Sequence, residues 1–170
     1  MTIIAVFVIL ALFAMASLLW LVRAAFTTRP ASGLRSVDLD AFRNLTDPAE
    51  EEFLRAQLPP REFRRIQRER LHAALDYVAC LASNSGVLLH AGQSARQSAD
   101  PQVAAVGANL VDNAVQLRMQ SFQTMVKLSL GMVFPGLRVS AGRIAERYEL
   151  TAHQGTTLGY MQRSAARLAA

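Results

Sequence analysis

His72 and Asp76 stand four residues apart in "LHAALDYVAC", a spacing that on a helix puts an imidazole and a carboxylate on one face. Such a pair can share a proton, and that is the nearest this chain comes to an acid–base couple in sequence. A solvated pair on a polar helix face explains the same spacing more simply. The three histidines, His72, His90 and His153, are far apart and form no HExxH or comparable metal signature. No nucleophile elbow, phosphate-cradling glycine loop or dinucleotide fingerprint occurs. "SNSG", Ser83 to Gly86, is small and polar but lies inside a helical pattern, not between a strand and a helix. Cys80 is the single cysteine, so an intrachain disulfide and a cysteine-built metal cluster are both excluded. At the edge of an apolar stripe it reads as an inert thiol. The sequence therefore assigns no catalytic, metal or cofactor-binding residue. An enzyme site assembled from distant groups such as His72, Asp76 and Arg118 is the rival reading.

Two sets of arginines carry more information. In "PREFRRIQRERLH" the steps Arg61, Arg65, Arg68 and His72 draw one line along a helix, with Arg64 beside it. Such a ridge suits anionic lipid heads, at about 1 kcal/mol per basic residue near the surface, or a nucleic-acid backbone. Glu62 and Glu69 soften it, and a solvated face is the simplest account. Nucleic acid ranks last, because the ridge has no aromatic stacking partners. Arg118 projects from the middle of an apolar face, which demands a carboxylate partner or a path to water. Asp76, Glu146 and Glu149 are the candidate partners for a buried ion pair.

These groups must be positioned by something, and the chain's periodicity says what. The 170 residues carry eighteen basic and thirteen acidic side chains, for a formal charge of +5. The segment Ile3–Val22 is uncharged, and thirteen of its twenty residues are Leu, Ile, Phe or Val. As a helix it is about 30 Å long, the thickness of a bilayer's hydrocarbon core. A cleaved leader would have a basic start and an apolar core ending before "AMAS"; this segment has neither, so it reads as a retained anchor. Arg23, Arg29 and Arg35 follow it, which predicts a short outer N-terminus and a cytoplasmic body. The bilayer is thus the first expected partner, through residues 3–22. A protein partner is the second, and self-association stays open, since no clear GxxxG pattern marks the anchor.

After the anchor (1–23), residues 24–46 read as a juxtamembrane linker with a short element in "DLDAFRNL", and 47–170 as a helical domain. Asp47, Pro48 and Glu50–Glu52 form a helix start. A long helix is expected from Pro60 to about Arg96, frayed or kinked near Gly86 and Gly92. Another should run from Pro101, capped by Asp100 or Ser98, to Phe134. Its apolar set covers more than half the circumference, which predicts burial against two neighbours, and "MVKLSLGMVFPGL" reads as its core end. A third begins after Gly136 and loosens beyond Gly155. No strand-like alternation appears. The prediction is an all-α fold: one N-terminal transmembrane helix, then an antiparallel bundle of three long helices with one or two short ones. The function it suggests is a binding or scaffolding module.

Overall fold

The computed structural model describes residues 33–134 and 142–168, and every described element is a helix. Short α1 (Leu39–Leu45) and α2 (Pro48–Gln57) precede the long α3 (Pro60–Arg96), α4 (Pro101–Val133) and α5 (Gly142–Leu168). The starts are those the sequence encodes. Asp47 caps α2 through Ala49 N at 2.9 Å and Asp100 caps α4 through Gln102 N at 2.8 Å, each with proline at the first helical position. Asp38 caps α1 by accepting from the amides of Asp40 and Ala41.

α3 and α4 make the principal interface, α5 packs mainly on α4, and α1 rests on α3 and α5. One core cluster joins Phe42, Leu71, Val78, Leu81, Leu117, Leu128, Ile144 and Tyr148. A second, toward the α3–α4 turn, joins Leu88, Ala95, Val103, Leu110 and Leu158. α3 runs without interruption through Gly86 and Gly92, so the expected fraying is not observed. Gly92 is a packing residue instead. A Cβ on it would stand 3.0 Å from Gly107 O, and one on Gly107 would meet Arg96 N at 2.8 Å. The two glycines let the antiparallel helices approach closely near their turn.

Two expectations change. The stretch read as a linker is built into the body from Arg35 onward: Phe42 is fully buried, and Val37 and Leu39 pack on the main cluster. The broad stripe of α4 is only partly consumed by its two neighbours. Leu110, Leu117 and Leu128 are buried, whereas Val115, Met119, Leu130 and Val133 face outward. α3 and α5 cover one side of α4, and among the described residues no third element covers the other. Among the described residues no helix is long and apolar enough to cross a membrane. The anchor expectation rests on Ile3–Val22, outside the described residues.

Candidate functional site

Three surfaces and one internal clamp emerge from this packing. The clamp is Asn84, fully buried on α3. Its Oδ1 accepts from the Arg35 amide at 2.9 Å, and its Nδ2 donates to the Arg35 carbonyl at 2.8 Å and to the Tyr148 hydroxyl at 2.7 Å. One side-chain amide thereby ties the segment preceding α1 to both α3 and α5. Burial raises the Tyr148 pKa above its ordinary value, with the Asn84 hydrogen bond opposing the shift. "SNSG" is thus structural, and a signal for it was present: Asn84 falls three residues after Leu81 and four before Leu88, on the buried line.

A second buried polar group escaped the sequence reading. Arg70, within the arginine-rich stretch, points inward and is nine-tenths buried. Its Nη2 donates to the carbonyls of Asn44 and Leu45 and to Glu50 at 3.2 Å, joining the end of α1 to the start of α2. The seven- and four-residue steps Phe63, Arg70 and Ala74 place it on the core side.

The first surface is the arginine ridge. Arg61, Arg64, Arg65 and Arg68 are all exposed and line a shallow groove with Glu69 and His72. None of the four is in an ion pair with a described residue; Glu50 and Glu51 are engaged instead by Arg70 and Arg55. Asp76 lines a different depression with Ser36, Val37, Tyr77 and half-buried Cys80. The His72–Asp76 couple is therefore split between two grooves. Arg118 is half-buried, and desolvation lowers its pKa. Of its three candidate partners, Glu149 is held by Arg43 at 2.8 Å. His72, Asp76 and Arg118 line no common pocket among those described.

The second surface, a groove between α4 and α5, was not foreseen. Asn113 and Gln120 line it from α4, and Arg143, Glu146, Arg147, Leu150, Thr151 and Gln154 from α5. Asn113 donates to Gln154 at 2.7 Å, and Arg147 donates to Gln116 on the rim. The Gln120 Oε1 is buried with no donor among the described residues, while Leu150 stands 69% exposed at the edge. The third surface is the outward apolar line of α4. No group of three or more His, Cys, Asp or Glu among the described residues could hold a metal ion. Neither a family model, a curated protein nor a solved structure matches this chain.

Proposed function

We propose that this chain is a single-pass membrane protein whose cytoplasmic helical body is a binding or scaffolding module for a protein partner. The bilayer-length apolar run Ile3–Val22 and the arginines after it support the tether and its orientation. The observation that carries the binding role is the α4–α5 groove. Among its lining groups is an amide carbonyl, Gln120 Oε1, buried and with no donor among the described residues, an acceptor available to an incoming N–H. Around it stand neutral amides, both signs of charge and an exposed leucine. That mixture suits a peptide segment supplying a backbone N–H to that carbonyl and an apolar side chain to Leu150.

The test is site-specific photo-crosslinking in cells. A photoreactive residue replacing Leu150 should give a discrete protein adduct that Arg147→Glu abolishes, while the same residue at Gln97 on the α3–α4 turn should give none. An absence of any adduct at Leu150, with the chain folded and in the membrane, would remove the groove from the account.

A further inference from the structure

The outward line of α4 and the arginine ridge of α3 both run to the same end of the bundle. α3 and α4 run antiparallel, with Gly92 against Gly107 near their turn, so the last turn of α4 lies level with Arg68 and the first turns of α3 continue beyond it. The ridge occupies those first turns. On α4, Met119, Val126 and Val133 recur every seven residues, with Val115, Phe122 and Leu130 beside them, which holds them on one side of the helix. Val133 is 69% and Phe134 60% exposed, large values for side chains of this size. Lys127 is exposed on the same stretch.

We propose that this end of the α3–α4 hairpin, the arginine ridge with Leu130, Val133 and Phe134, docks on the anionic lipid leaflet to which the chain is tethered. The inference rests on the membrane reading above and adds a second contact to it. Three observations fix the occupant as lipid. Exposed apolar and basic groups at one end of the body are the composition that enters a headgroup–acyl boundary. The four arginines have no carboxylate partner among the described residues, so their charge is open to phosphate. The geometry also allows it. Residues 24–34 can span at most about 36 Å, and the ridge from Arg68 to Arg61 lies about 24–35 Å along α3 from the Asn84 clamp that holds Arg35. Each arginine at an anionic surface favours contact about fivefold. The α4–α5 groove lies farther along α4: Gln120 is about 15 Å from Leu130 and about 21 Å from Phe134 along the helix axis. A docked body would therefore leave that groove open.

The full chain is reconstituted in nanodiscs of phosphatidylcholine alone, or with about 30 per cent phosphatidylglycerol to supply the anionic surface. In a Cys80→Ser background, an environment-sensitive NBD label is placed at Val133→Cys, or at Leu150→Cys as control. In the anionic discs the label at position 133 should shift to the blue and lose most of its quenching by aqueous iodide. Arg61→Glu/Arg65→Glu/Arg68→Glu or high salt should restore quenching, and the triple Arg→Lys variant should keep the protection. The label at 150 should be equally quenched in both discs. Helicity by circular dichroism confirms that each variant folds. A label at 133 as open to iodide in anionic as in neutral discs would overturn the proposal. So would protection that appears with added duplex nucleic acid and not with anionic lipid. A chain that fails to co-elute with the discs would instead refute the tether, which separates the two failures.

Discussion

Replacing Asn84 tests how the segment entering the bundle is held. Asn84→Ala removes three hydrogen bonds, two to the Arg35 backbone and one to the Tyr148 hydroxyl. At a net contribution near 1 kcal/mol each, their loss costs about 3 kcal/mol at most. Water can recover part of this at Arg35, which lies at the surface, but the Tyr148 hydroxyl is in a buried side chain. A small cavity adds to the cost. A global loss of about 2–4 kcal/mol follows, read from denaturant unfolding of the full chain in detergent. The local effect should be larger than the global one. The Arg35 amide should exchange slowly with deuterium in the parent protein, where Asn84 Oδ1 accepts from it, and near the rate of an open loop in the variant. Tyr148→Phe removes a single bond and should cost about 1 kcal/mol while leaving Arg35 protected. The reasoning fails if Arg35 exchanges equally fast in parent and Asn84→Ala, or if stability changes by less than about 0.5 kcal/mol.

Three further outcomes follow from the packing. Gly86 has open space where a Cβ would stand, so Gly86→Ala should raise stability by about 0.5–1 kcal/mol. Gly107→Ala should lower it by about 1–3 kcal/mol, because the added methyl meets backbone of α3; equal effects from the two glycines would refute the close approach. Leu117→Ala, at a fully buried position of the main cluster, should cost about 2–5 kcal/mol in the same unfolding measurement. Tyr148 has a raised folded-state pKa, so the folded chain keeps a proton that the unfolded chain releases. Its contribution is complete below the ordinary value near 10 and declines as pH rises above it. Stability measured upward from pH 10 should fall less steeply in Tyr148→Phe, and an unchanged slope would contradict the assignment.

The helices were legible because their ends are written in side chains. Asp47–Pro48 and Asp100–Pro101 pair a capping carboxylate with a residue that has no amide to satisfy, and no later residue breaks α3 before Arg96. The wide apolar set of α4 was legible as a pattern but not as an outcome. Periodicity counts apolar positions without counting neighbours, so it could not show that Val115, Met119 and Val133 would remain uncovered. The short element before α2 was legible, but its packing into the core was not, for a related reason. Seven residues of α1 carry too few turns for a stripe, and Phe42 is buried by tertiary contacts with α3 and α5 that no local signal encodes. The arginine ridge was visible because its residues share one helix. The α4–α5 groove was invisible because Asn113 and Gln154 meet only after a forty-one-residue separation is closed by folding.

The tether and the side on which the body lies decide the account, and one measurement addresses both. Intact cells and inverted membrane vesicles carrying the full chain are treated with protease after alkaline extraction has shown whether the chain stays with the lipid. The account predicts a chain that resists extraction, with a helical body protected in cells and digested in inverted vesicles. Release by alkali, or digestion of the body from outside intact cells, would contradict it.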